Sequence, residues 1–98
     1  MADKLIDEVI TKELKNLNGW KHLEARGALY KKFTFKDFKR AWEFMSRAAA
    51  LAEDINHHPE WSNIYKIVEI TLTTHDVGGI TDLDIQMARA MNEYEQLH

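Results

Sequence analysis

The stretch from Trp61 to His75, WSNIYKIVEITLTTH, decides the fold. It is β-branched and alternates apolar with polar side chains, the period of two that marks a half-buried strand. One long strand and a tight hairpin turning near Tyr65-Lys66 both fit, and the hairpin is the reading adopted here. Ile64, Val68, Ile70 and Leu72 are expected to line the core, with Glu69, Thr71, Thr73 and His75 facing the other way.

Upstream lies KDFKRAWEFMSRAAALAEDI, which holds neither glycine nor proline and reads as a helix over residues 36–54. Lys36, Lys39, Arg40, Glu43, Ser46, Arg47 and Asp54 form its polar stripe. The apolar remainder spreads over two sides, Phe38, Trp42, Met45, Ala49 and Ala52 on one, Phe44, Ala48, Leu51 and Ile55 on the other. A helix packed only on its own sheet needs a stripe of roughly 100°. The wider arc predicts a second contact surface, most simply another subunit; a helix sandwiched within the monomer is the alternative.

Before it, WKHLEARGALYKKFTF reads as a hairpin: a strand near Trp20–Glu24, a turn at Arg26-Gly27 and a strand from Ala28 to Phe35. Leu29, Phe33 and Phe35 share a face, and Lys31 breaks the alternation. Leu5, Ile6, Val9, Ile10, Leu14 and Leu17 recur at helical spacing, and Asn18-Gly19 ends that first helix. After the DVGGI loop, TDLDIQMARAMNEYEQL gives a last helix with Ile85, Met87, Ala88, Met91 and Tyr94 inward. The order α-β-β-α-β-β-α predicts an α+β domain: a four-stranded antiparallel sheet with helices packed on one face.

Ninety-eight residues fit one domain, 1–98, and so short a chain gains stability from oligomerisation. A net charge of -3 lacks the basic footprint of a chain that binds nucleic acid directly. No cysteine occurs, which removes disulfides, zinc–thiolate sites and thiol nucleophiles. No apolar run of signal-peptide or membrane-span type appears, so the expected compartment is cytoplasmic, with the nucleus open to so small a subunit.

The chemistry rests on histidine. His98 is terminal, in a tail expected to fray, and His22 lies in a polar strand expected to be exposed. That leaves His57 and His58, adjacent in EDINHHPEW, and His75. Asn56 and Pro59 read as helix-stop residues, so the histidine pair can simply complement a helix C-terminus. A metal set of Glu53, His57 and His75 is a second reading, although adjacent histidines in extended chain point apart and chelate poorly together. Acid–base chemistry is a third: imidazoles titrate near neutral pH, and Glu53, one turn before His57, is placed to orient one. Ser46 and Ser62 sit in no nucleophile setting, and VGG lacks the lysine of a phosphate loop. Thr81 and Asp84 make a capping-box-like helix start, and Trp61 and Tyr65 read first as sheet core or interface.

Glu53, His57-His58-Pro59, Tyr65, His75 and Asp84, at their spacings, resemble the signature of the pterin-4a-carbinolamine dehydratases. Gly19-Trp20, FTFKDFKRAWEFM, NHHPEW and ITLTTHDVGGIT are similar to that family's segments, in order, from about Leu17 onward. The resemblance implies a four-stranded antiparallel sheet with three helices on one side, and a dimer or tetramer built through the 36–54 helix and a sheet edge. It implies dehydration of 4a-hydroxytetrahydropterin to quinonoid dihydropterin, the recycling step for the cofactor of aromatic amino acid hydroxylases, with no metal or organic cofactor. Carried over, His57, His58 and His75 become the active-site imidazoles and Glu53 their carboxylate partner. His57 and His75 are expected to move protons and His58 to hold the substrate. Asn56, Thr73, Thr74 and Asp76 are expected at the pterin edge, Trp20 and Trp61 as pocket walls, and Asp84 and Tyr65 as support. Animal relatives also stabilise the dimer of a homeodomain transcription factor through their helical surface. A binding module of that kind is the competing expectation, with contacts at Phe44, Ala48 and Leu51.

Overall fold

In the computed structural model, which describes residues 3–98, the deciding stretch folds as a hairpin. Strand β3 (Glu60–Ile64) turns at Tyr65-Lys66 into β4 (Ile67–Leu72), with Ile64 opposite Ile67. Tyr65 takes the left-handed conformation, φ 53, and the Asn63 amide braces the turn by donating to the carbonyls of Tyr65 (3.0 Å) and Ile67 (2.9 Å). A two-residue turn also changes which residues share a face. Val68, Ile70 and Leu72 are buried as expected, but their face is joined on β3 by Asn63 and Trp61. Ile64 therefore points away from the core and is 72% exposed, contrary to a reading that ran one alternation through the turn.

The other elements are α1 (Asp7–Leu14), β1 (Lys21–Leu23), β2 (Ala28–Thr34), α2 (Phe38–Asp54), a 3-10 turn (His75–Val77) and α3 (Asp82–Leu97). The four strands pair antiparallel in the order β1-β2-β4-β3, with Leu29 opposite Leu72 and Phe33 opposite Val68. Three helices and this sheet make the α+β fold that the element order predicts. One sheet face, with Leu29, Phe33, Val68, Ile70 and Leu72, joins Phe44 and Ala48 of α2 and Ile85, Met87 and Met91 of α3 in a single core. The ring of Phe33 is its centre, packed by Trp20, Phe35 and Phe44 at centroid distances of 5.9, 6.1 and 4.8 Å.

Lys31 does not break the pattern of β2; it stays in phase and is buried. Its Nζ lies 4.4 Å from the Phe33 ring centroid and donates to the Asn18 carbonyl (2.9 Å), Asn92 Oδ1 (2.8 Å) and Glu95 (3.2 Å). Burying an ammonium is tolerable only when its donors are matched in this way. The same Asn92 oxygen accepts from Trp20 Nε1 at 3.0 Å. Strand, loop and α3 are thus joined by one polar knot.

Three helical expectations change. Helix α1 starts at Asp7, so Ile6 and Val9 are exposed, and Leu17 is buried from a turn beyond the helix end. On α2 Phe44 and Ala48 are fully buried within the chain, Leu51 and Ile55 partly so, and Met45 and Ala52 of the other side are buried too, whereas Phe38 and Trp42 are exposed, their rings stacked at 6.4 Å. The C-terminus is ordered: α3 runs to Leu97, and His98 is half-buried beside Glu43 and Arg47. Among the described residues no helix is long and apolar enough to cross a membrane.

Phe33→Ala is expected to cost about 3–5 kcal/mol, the range for deleting a buried ring whose cavity cannot collapse. Urea unfolding of the two proteins measures it, and a loss below about 1 kcal/mol would place the centre of the core elsewhere.

Candidate active site

The C-terminal end of α2 is shaped by its own sequence. Asn56 adopts φ 51, its amide donates to the Glu53 carbonyl (3.4 Å), and the His57 amide donates to the Ala52 carbonyl (3.0 Å). These two bonds around a left-handed residue are a Schellman ending, and Pro59 prevents the helix from resuming. The turn sends the neighbouring imidazoles into different surroundings. His57 is buried, while His58 stays exposed.

His57 Nε2 lies 2.6 Å from Asp84 Oδ1. Asp84 is fully buried at the third position of α3, and its other oxygen accepts from Thr74 Oγ1 (2.8 Å) and the Thr81 amide (3.0 Å). The Thr81 hydroxyl accepts from the Leu83 amide and meets Thr74 Oγ1 at 2.8 Å. Thr74 gives its single proton to Asp84, so the Thr81 hydroxyl donates to Thr74. Both oxygens of the carboxylate then face donors, and toward the ionised acid, which can only accept, the neutral His57 ring presents its proton on Nε2. Nδ1 is left as the nitrogen free for chemistry.

The capping box predicted at Thr81 and Asp84 is present. Asp84 does more than cap, however: among the imidazoles expected to share Glu53, His57 is held by Asp84. Glu53 instead reaches His58, with Oε2 2.5 Å from Nε2 at the surface. The sequence offers no spacing that joins His57 to a residue 27 positions away; the fold alone does so.

His75 opens the 3-10 turn that follows β4 and Thr74. This loop is closed by the Thr74–Gly79 bridge, and the Thr73 hydroxyl donates to the Gly27 carbonyl (2.8 Å). His75 is exposed, with Nε2 3.3 Å from Glu60 Oε2. Glu60 in turn accepts both its bonds from Arg26 Nη2, at 2.7 and 2.6 Å. Neither Arg26 nor Glu60 was singled out from sequence. The Arg26 hydrogen bonds hold the Glu60 carboxyl below its ordinary pKa, the charges of Arg26 and His75 lower it further, and desolvation opposes them.

The end of α2, the end of β4, the start of β3 and the start of α3 therefore bring His57, His58, Thr74, His75 and Asp84 to one end of the sheet. Asn56 and Asp76 are exposed there, and Trp61 is half-buried against the core. Trp20 is not brought to this end: it is 5% exposed, packed on Phe33 and bonded to Asn92. Tyr65 sits at the exposed hairpin turn rather than in the core. A cavity of about 280 Å³ shares Gly27, Gly78 and Gly79 with this region, but it is lined by Lys4, His22 and Glu24, not by the three histidines. Among the described residues no group of three His, Asp or Glu side chains is arranged to hold a metal ion; Glu53, His57 and His75 each have a different partner.

The family model described as pterin 4 alpha carbinolamine dehydratase matches residues 3–94. The chain belongs to that family. The pterin carbinolamine dehydratase relatives include a Bradyrhizobium diazoefficiens protein, provisionally so named, 50% identical over 97 residues, covering 99% of this chain and 97% of that one. A Jannaschia protein with the same provisional name is 47% identical, covering 98% of this chain and all of its own. The crystal structure of a transcriptional coactivator/pterin dehydratase from Brucella melitensis superposes with a TM-score of 0.92 at 44% identity, covering 95% of this chain and 99% of that one.

The Arg26–Glu60 pair has a defined pH signature. A carboxyl whose pKa is lower in the folded chain contributes stability above its unfolded value and loses it as pH falls through the folded one. The stability difference between the natural chain and Glu60→Gln is expected to be small, because the pair is exposed. It should be largest at neutral pH and shrink in acid, as pH falls from the unfolded carboxyl range toward the lower folded value. Denaturant midpoints measured from neutral pH down into acid test this, and a difference that grows in acid contradicts it.

Proposed function

We propose that the protein dehydrates 4a-hydroxytetrahydropterin to quinonoid dihydropterin, returning the spent cofactor of aromatic amino acid hydroxylases to use. The observation that carries this reading is the buried Asp84–His57 pair, its carboxylate held on both oxygens, in a chain of this family that carries two further imidazoles at the same end of the sheet. The reaction asks only for proton transfers. The C4a hydroxyl leaves as water when it gains a proton, and the N5 proton departs as the C4a–N5 double bond forms. His57, through Nδ1, and His75 are the pair assigned to these two transfers. His58, with Glu53 behind it, holds the substrate. Asn56 and Asp76, exposed at this end of the sheet, are assigned to hydrogen-bond the bicyclic ring and Trp61 to offer it flat apolar surface, while the Thr73 and Thr74 hydroxyls, committed to Gly27 and Asp84, hold the loop and the network in place. Trp20, sealed in the core, has no part in the proposal. The group performing the chemistry is imidazole, with no cofactor required.

The exposed Phe38–Trp42 pair on α2 supports a second element of the reading, a homo-oligomer contact. Adjacent exposed aromatic rings on a helix are the usual material of an interface. The coactivator role named for the Brucella protein favours the same surface as a docking site for a transcription-factor segment. Phe44 and Ala48, buried in the chain's own core, are not available to either partner.

Purified protein is expected to accelerate the decay of chemically made 4a-hydroxytetrahydropterin over its spontaneous rate. His57→Ala and His75→Ala should each lower kcat by about 100-fold or more, the lower range for a positioned acid or base. His58→Ala should act mainly on KM. No acceleration by the natural chain removes the enzymatic reading, and indispensability of His58 alone overturns the assignment of roles. For the interface, Trp42→Glu is expected to reduce the mass measured by light scattering to that of one chain; an unchanged oligomer would move the contact off this face.

A further inference from the structure

Around His75 the structure holds an arrangement that the family signature does not contain. The imidazole is on the surface, with its side chain 74% exposed, yet its Nε2 faces the Glu60 carboxylate at 3.3 Å. Glu60 is itself gripped on both oxygens by Arg26, at 2.7 and 2.6 Å. The three residues come from three places: the β1–β2 turn, the first residue of β3 and the turn after β4. Glu60 stands opposite Thr71 in the ladder, so the strand that leads into His75 also fixes the backbone of its partner.

An exposed imidazole with no partner samples several rotamers and both tautomers. A carboxylate on one ring nitrogen selects a single orientation and puts the neutral ring's proton on that nitrogen. We infer that Glu60, locked by Arg26, is a positioning residue for His75 in the dehydration. It turns Nε2 back toward the sheet and leaves Nδ1 free for the pterin. The arrangement parallels that of His57, whose Nε2 is likewise held by a carboxylate. Two imidazoles would then meet the substrate through the same ring atom, one anchored by a buried acid and one by a surface ion pair. The lowered Glu60 pKa agrees with a carboxylate kept ionised whenever His75 titrates. A purely structural purpose fits poorly, because an exposed ion pair adds little to folding.

The inference rests on the dehydratase reading, and its test separates the two. Glu60→Gln, Arg26→Gln, His75→Ala and the Glu60→Gln/His75→Ala double variant are compared with the natural chain for kcat and KM, and His75 is titrated by NMR in the natural chain and in Glu60→Gln. Glu60→Gln is expected to lower kcat about tenfold with KM nearly unchanged, a fraction of the hundredfold or more that a positioned acid or base supplies. Arg26→Gln should lower it less. In the His75→Ala background Glu60→Gln should have no further effect, since the residue it positions is gone. The His75 pKa should fall in Glu60→Gln, because the facing carboxylate is lost while Arg26, across from it, and Asp76, on its own turn, remain. Independent, multiplicative losses in the double variant, or an unmoved His75 titration, overturn the inference. If the natural chain does not accelerate the reaction, the dehydratase reading fails and the catalytic role of Glu60 falls with it, while the titration still reads the hold on His75 by itself.

Discussion

The carboxylate of Asp84 is the constraint on which this corner of the molecule depends. It has no exposure to water and accepts from a histidine, a threonine hydroxyl and a backbone amide. Those donors belong to the segment after α2, the end of β4 and the cap of α3. A buried carboxylate that lost one of them would leave charge uncompensated, at a cost of about 1–3 kcal/mol or more. Three chain segments must therefore meet at one point for the fold to close, and the point where they meet is where His57 is held. Stability and the orientation of an imidazole are here the same set of bonds. Asp84, in the first turn of α3, is for that reason hard to change without moving His57.

A second organising fact is the division between the two sides of this end of the sheet. His57 is fixed by a buried network whose partners exclude solvent, whereas His58 and His75 rest on surface carboxylates, Glu53 and Glu60. Buried networks set geometry firmly because each alternative leaves a polar atom unmatched. Surface pairs exchange with water and set it loosely. This end of the sheet thus has one rigidly held imidazole and two adaptable ones.

Much of the fold was legible because local signals agreed with one another. The alternation in Ile67–Leu72, the alanine-rich run of α2 and the threonine–aspartate start of α3 each named an element that formed. The errors arose where a global fact overrode a local count. Ile64 was assigned inward because alternation was carried through a turn that shifts the register. Lys31 looked like a flaw in a strand because its partners, Asn18, Asn92 and Glu95, lie far away in sequence. In the site, the histidines were visible as residue types, but their partners were not. Glu53 lies one helical turn before His57, yet the Schellman turn carries His57 away from it and toward Asp84. Arg26 and Glu60 carried no signal, since charged residues at a turn and a strand end are ordinary surface features until the fold sets them beside His75.

The buried lysine also has a consequence for how this chain can vary. A Cβ built on Gly19 would lie 2.8 Å from Lys31 Cε, so the space a side chain would fill is already taken by the lysine stem. Gly19 also sits at φ 84, where any other residue is strained. Shortening Lys31 relieves the first obstacle and leaves the second, while orphaning the oxygens that the ammonium serves. The two positions are therefore coupled: a side chain at Gly19 displaces the lysine from its acceptors, and a shorter residue at position 31 leaves the strain at position 19 in place.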